Sequence, residues 1–208
     1  MILGIDHIGI NTVNINLYEN ILFKNNYKCL FKDEIFNNEN KKIFLNKYSR
    51  YHKIAYYESL NNYFPIELTE HGNDISHKET PIAFEKNTIS IKVEDIYQEK
   101  SIWSKLLGSE NHKGDNISFN SILPKRNFHL EFIPVKKNIP YSLDTEGCTC
   151  IALLTKDVFE SINLMDSISS CKILPPWRSE VNNKNLTIVM FKTVNGIIIE
   201  LIQIDRKF

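Results

Sequence analysis

The chain has 208 residues, with 25 Lys plus Arg against 25 Asp plus Glu and a formal net charge of zero. No net field recruits polyanions or an anionic membrane surface, so neither nucleic-acid binding nor membrane association is expected. The length allows a sizeable core in one large domain or two small ones. No apolar run approaches the roughly 20 residues that span a bilayer, and the first residues lack a secretory pattern, so a cytoplasmic protein is expected.

Ile5-Asp6-His7-Ile8-Gly9-Ile10 is a strand-like run whose period of two puts His7 and Gly9 on one face and Ile8 and Ile10 on the other. If the isoleucines face a core, His7 faces whatever the sheet surrounds. Asn14 or Asn16 caps a helix that carries Leu17, Ile21 and Leu22 on one face and ends near Asn25-Asn26. Tyr27 to Phe36, Lys42 to Leu45, Lys53 to Tyr57 and Phe64 to Leu68 then read as strands separated by Asn-rich turns. The last contains Pro65-Ile66-Glu67-Leu68, a carboxylate inside an apolar strand. An unpaired buried carboxylate costs several kcal/mol, so Glu67 must face solvent, meet a cation or stay protonated.

A polar connector from Glu70 to Glu85 precedes a second pass of the same plan. Thr88 to Val93 alternates like a strand, Ile96 to Leu107 has helical spacing, and Gly108 stops it. Asn116 to Leu123 and Asn127 to Ile133 are return strands, the latter containing Leu130-Glu131-Phe132. A third pass follows the Pro140 linker. Its first strand is Cys148 to Thr155, Asp157 caps a helix reaching about Ser167, and Leu186 to Phe191 pairs with Ile197 to Ile204 around a tight Asn195-Gly196 turn. Here Glu200 interrupts the apolar run. Each pass places a Glu just before an apolar residue of its final strand, so the chain is an internal repeat.

The opening Ile5 to Ile10, followed by Tyr18-Glu19 on the first helix, resembles the start of the vicinal oxygen chelate superfamily, which comprises glyoxalases, bleomycin-resistance proteins and extradiol dioxygenases. Asn195-Gly196-Ile197-Ile198-Ile199-Glu200-Leu201-Ile202-Gln203 is similar to the ending of its methylmalonyl-CoA epimerases. The resemblance implies an α+β fold of repeated βαβββ modules forming curved mixed sheets around a cavity. It sets a first module at 1–70, a linker at 71–86, a second module at 87–135, a linker at 136–146 and a third module at 147–208. It further implies a divalent metal held by the first and last strands of paired modules.

Carried over residue by residue, the first module offers His7 and Glu67. The third offers Cys150, if Ile151 matches Ile8, and Glu200; the second offers Thr88, if Ile89 matches Ile8, and Glu131. Relatives usually place His or Gln where Thr88 and Cys150 stand. Sequence order favours pairing modules one and two, and motif quality favours one and three; the latter is preferred, giving His7, Glu67 and Glu200 as metal ligands.

The implied chemistry is that of a metal-dependent isomerase or lyase. It would abstract a proton beside a carbonyl of a small oxygenated substrate or acyl thioester, with Glu67 or Glu200 as base. Zn, Co, Ni, Mn or Fe(II) suits imidazole and oxygen donors, and coordination by Cys150 would shift the balance to Zn. The alternative is a metal-free small-molecule binding protein on the same fold, like bleomycin-resistance proteins. A homodimer is plausible, since an unpaired module leaves a sheet edge to cover.

Blander readings stand beside these. The three glutamates could be exposed edge-strand charges. His129, near Glu131, reads as a polar surface residue or an extra ligand. Cys148 and Cys150, pointing the same way on one strand, read as buried packing thiols rather than a disulfide or metal pair. His52, His71, His77 and His112 fall at loop edges, and Pro175-Pro176-Trp177-Arg178 reads as a surface turn or a loop over a substrate mouth.

Overall fold

The computed structural model describes residues 1–72, 79–108, 112–123, 125–139, 141–166 and 171–205. His77, Pro140 and Ser167 lie outside the described residues. The elements, in order, are β1 (Ile2–Asn11), α1 (Ile15–Lys24), β2 (Tyr27–Phe36), β3 (Tyr51–Ser59), β4 (Ile66–Glu70), β5 (Ile82–Glu85), β6 (Thr88–Val93) and α2 (Ile96–Leu107). They continue with β7 (His112–Lys113), β8 (Asn116–Ser121), β9 (Arg126–Pro134), β10 (Gly147–Thr155), α3 (Val158–Asp166), β11 (Lys172–Ile173), β12 (Trp177–Val181), β13 (Lys184–Lys192) and β14 (Ile198–Ile204).

Local chemistry sets the helix ends. Asn14 accepts the Asn16 backbone N–H at the start of α1, and Asp157 accepts from Phe159 and Glu160 at the start of α3. Gly108 closes α2 in the left-handed conformation, at φ 61°. The expected strand at Lys42 to Leu45 is instead part of a 3₁₀ helix, Glu39–Phe44, capped by Asn38. Its Phe44 is buried, and the Asp144 carboxylate accepts the Asn46 and Lys47 backbone N–H groups just beyond it.

The first and third modules share one nine-stranded sheet, ordered β11-β13-β14-β10-β1-β4-β3-β2 with β12 paired to β13. At its centre β1 and β10 run antiparallel with Ile8 opposite Ile151. One face of these strands sends Ile8, Ile151 and Leu153 into the core, with α1 packed on β2 and β4 and α3 on β13 and β14. The second module forms a separate five-stranded sheet, β5-β6-β9-β8-β7, with α2 against β8 and β9.

The stretch expected to be a plain connector contributes β5, which pairs antiparallel with β6 and sets Phe84 opposite Ile89. Phe84 thus takes beside Ile89 the place that Ile151 takes beside Ile8. β6 is thereby an inner strand, and β5 is the outer strand of this sheet. Asn195 ties this module to the third. Its Oδ1 accepts the Glu94 and Asp95 backbone N–H groups at 3.1 and 2.9 Å, and its Nδ2 donates to the fully buried Glu99 at 2.9 Å. Trp103 Nε1 donates to the other Glu99 oxygen at 3.0 Å. Among the described residues, no helix is long and apolar enough to cross a membrane.

Candidate metal centre

The two halves of the large sheet carry the same register. In the parallel β1–β4 ladder Ile8 faces Ile66 and Gly9 faces Glu67; in the parallel β10–β14 ladder Ile151 faces Ile199 and Ala152 faces Glu200. Since Ile8 also pairs with Ile151, a local two-fold relates His7 to Cys150, Gly9 to Ala152 and Glu67 to Glu200. Residues paired across a ladder share a face, so all six look into the same concavity. The central positions are small, which leaves room above the sheet.

His7 is 2 % exposed. Its Nδ1 lies 2.9 Å from Asp6 Oδ2, a contact that strict alternation would forbid between neighbours in a strand. The register step between Ile5 and His7 explains it: Asp6 is the unpaired residue of a bulge, which turns its carboxylate toward the imidazole. Tyr56 O–H donates to the Asp6 carbonyl at 3.0 Å and presents its ring to His7 edge-on, with centroids 5.7 Å apart. Asp6 therefore belongs to the site. It was missed in the sequence because a bulge leaves no residue signature there.

With Nδ1 committed to Asp6, Nε2 points into the cavity, buried and without a hydrogen-bond partner. It stands 3.7 Å from Glu67 Oε1 and 3.7 Å from Glu200 Oε2. These separations exceed a hydrogen bond. Two donors bound to one ion at roughly 2.0–2.2 Å stand about 3–3.5 Å apart, close to this spacing. Ligand atoms of His7, Cys150 and Glu200 all lie within 4.8 Å of one another. A divalent ion fits these donors: it would satisfy the orphaned nitrogen and the surplus negative charge together.

The titration behaviour reflects that surplus. Burial acts to lower the His7 pKa, but Glu67 and Asp6 overcome it and hold the imidazole well above its usual value. Burial raises the Glu200 carboxyl above the usual range, against the opposing pull of Lys41 and His7. Burial likewise raises the Cys150 thiol.

The cavity has a volume of about 300 Å³. Phe31, Phe36, Ile54, Tyr56 and Trp177 form much of its apolar wall, and Phe31 stacks on Tyr56 with centroids 5.6 Å apart. Lys41, carried by the 3₁₀ helix, lines it with its ammonium 5.4 Å from the Trp177 ring centroid. The segment expected as a surface turn, Pro175 to Arg178, instead leads into β12, which puts Trp177 opposite Ile188 as cavity wall. The overlooked signal was Asn182-Asn183: both residues have positive φ, 48° and 59°, forming the two-residue hairpin turn between β12 and β13.

Other expected positions fall elsewhere. Thr88 and Glu131 repeat the register of His7 and Glu67, with Ile89 facing Leu130 and Ser90 facing Glu131, but on the separate sheet. There Glu131 is exposed and accepts from Ser90 Oγ at 2.8 Å, while His129 Nδ1 meets Ser118 Oγ at 3.0 Å. Cys148 and Cys150 do not point the same way. A bulge at Thr149 sets Cys150 opposite Gly9 and Cys148 opposite Ile10, on the other face. His52, second in β3, and His71, just past the end of β4, do lie at loop edges, yet both are buried and their rings stack at 4.8 Å.

No family model matches the sequence, and no curated protein matches it. Among solved structures, glyoxalase I from Zea mays superposes with a TM-score of 0.57 at 15% identity, over 96% of this chain and 92% of that one. A variant of the same enzyme gives 0.59 at 14% identity, over 96% and 93%. Methylmalonyl-CoA epimerase from Mycobacterium tuberculosis gives 0.49 at 11% identity, over 99% and 91%. The fold is that of glyoxalase I. The expected α+β fold of curved mixed sheets is therefore the one observed. Within this glyoxalase-like fold, the concavity holding His7, Glu67, Cys150 and Glu200 is formed by β1, β4, β10 and β14 at the junction of the two modules.

Proposed function

We propose that the protein is a divalent-metal-dependent isomerase or lyase that removes a proton from the carbon beside a carbonyl of a small oxygenated substrate. His7, Glu67 and Glu200 hold the ion. The observation that carries this reading is the His7 Nε2 atom, buried and unpartnered 3.7 Å from both carboxylates. When bound, a divalent cation supplies charge stabilisation for the oxyanion that develops as the proton leaves.

The chain's own residues divide the remaining work. Asp6 fixes the His7 ring so that Nε2, not Nδ1, faces the cavity. Glu200, the more buried of the two carboxylates, takes the proton as it lets go of the ion. Glu67 stays the more open carboxylate, with 20% of its side chain exposed. Lys41 meets negative charge on the substrate, and the aromatic wall excludes water.

A cavity of about 300 Å³ whose lining cations are Lys41 and Lys184 suits a compact oxygenated anion better than an acyl thioester on a large polyanionic carrier. Protein purified without tag or chelator should contain near-stoichiometric transition metal. With 2-oxo and 2-hydroxy acids it should catalyse exchange of the adjacent carbon-bound hydrogen with deuterated water. A metal-free binding protein would find the aromatic wall useful, but it would leave the buried His7 Nε2 facing Glu67 and Glu200 at 3.7 Å, too far for a hydrogen bond to either.

A further inference from the structure

We propose that Cys150 is a thiolate ligand of the ion, so that the site is a mixed nitrogen, sulfur and oxygen centre selective for zinc over oxygen-preferring cations such as magnesium and manganese. This rests on the metal-binding reading above and specifies its donor set. By the two-fold of the central strands, Cys150 occupies in the third module the position His7 occupies in the first. Each module then contributes one first-strand donor and one last-strand carboxylate.

Three observations separate Cys150 from an ordinary buried thiol. The first is its surroundings: its Sγ shares a span of 4.8 Å with ligand atoms of His7 and Glu200, so it lies among polar groups. Cys148, one bulge away, lies on the opposite face and is half-buried. The second is Gly9. A Cβ there would sit 2.4 Å from Cys150 Sγ, so the missing side chain is what admits the sulfur to the cavity face. The third is the His7 imidazole, whose Nε2 is buried without a geometric hydrogen-bond partner and which shares that 4.8 Å span with the sulfur.

Coordination breaks the S–H bond and forms a sulfur–metal bond, and the proton leaves to solvent. Thiolate with imidazole favours zinc or cobalt, whereas magnesium and manganese favour oxygen donors.

The test is cobalt substitution. Cobalt(II) protein should show an intense near-ultraviolet thiolate-to-cobalt charge-transfer band, retained in Cys148→Ser and absent in Cys150→Ser. Cys150→Ser, checked for folding by circular dichroism, should still bind cobalt through His7 and the carboxylates. Its zinc affinity should fall by more than the ~10–100-fold that loss of an outer-shell partner costs, and its manganese affinity should change far less. Cobalt-loaded wild type without the band, or a Cys150→Ser variant with wild-type zinc affinity, overturns the thiolate assignment and leaves the metal-dependent reading standing. Wild type that binds neither zinc nor cobalt overturns both.

Discussion

Asp6 and His7 are adjacent in sequence, yet their side chains meet on one face of β1, with Oδ2 and Nδ1 2.9 Å apart. The bulge that makes this possible turns a lone strand histidine into an oriented ligand. Asp6→Ala should therefore weaken metal binding roughly 10- to 100-fold, as loss of an outer-shell partner does. The Tyr56 bond goes to the Asp6 backbone carbonyl, so the bulge itself should persist. Isothermal titration with zinc, beside a far-ultraviolet spectrum, checks both points.

The two carboxylates should not be equivalent. Glu200 is the more buried, with 7% of its side chain exposed against 20% for Glu67, and burial raises its pKa. Glu200→Gln should lower the rate of carbon–deuterium exchange by about 10²- to 10⁴-fold, the contribution typical of a general base. Glu67→Gln should act chiefly by weakening metal affinity, so saturating metal should restore more of its rate than that of Glu200→Gln.

His52 and His71 carry a pH dependence of stability. Burial is the largest cause of both shifts and Lys41 adds to it, lowering His52 to about 2 and His71 to about 4. Their Nδ1 atoms are buried and unpaired, so the folded state holds both rings neutral. The unfolded chain binds protons at each from about pH 6.5. Their contribution is thus fully present above pH 6.5 and is lost as pH falls toward about 4 for His71 and about 2 for His52. At pH 5.5 the loss is about 1 kcal/mol per histidine. Urea unfolding at pH 7.5 and 5.5 should show a smaller difference in His71→Gln than in wild type, by about that amount.

Asn195→Ala should destabilise the protein by about 1–2 kcal/mol, because it removes the amide that donates to the buried Glu99 and accepts the Asp95 N–H, while the Glu94 N–H keeps Asn138 Oδ1 at 3.3 Å and Glu99 keeps Trp103. Chemical denaturation of this variant should also reveal whether the second module loosens first, seen as Trp103 fluorescence changing ahead of the global transition.

Much of the register that brings the candidate residues together was legible because repetition is a global signal. Aligning Ile8, Ile89 and Ile151 gave the three equivalent first-strand positions, and the glutamate in each closing strand followed; the observed ladders keep those offsets. The unreadable parts were local departures from periodicity. Bulges at Asp6 and Thr149 each reverse which face a neighbour occupies, so Asp6 was overlooked and Cys148 was grouped with Cys150. The 3₁₀ helix that brings Lys41 to the cavity depends on Asp144, far away in the chain, accepting its flanking amides. His52 and His71 come together only through the pairing of β3 with β4. Nothing in either stretch alone announces that contact.

The most direct measurement is elemental metal analysis of untagged, chelator-free protein, comparing wild type with His7→Ala and Glu200→Ala. Near-stoichiometric transition metal in wild type, lost from both variants, is the predicted result. Wild type that carries no metal and takes none up on reconstitution, or a His7→Ala variant that retains full metal, would contradict a centre built on the unpartnered His7 Nε2.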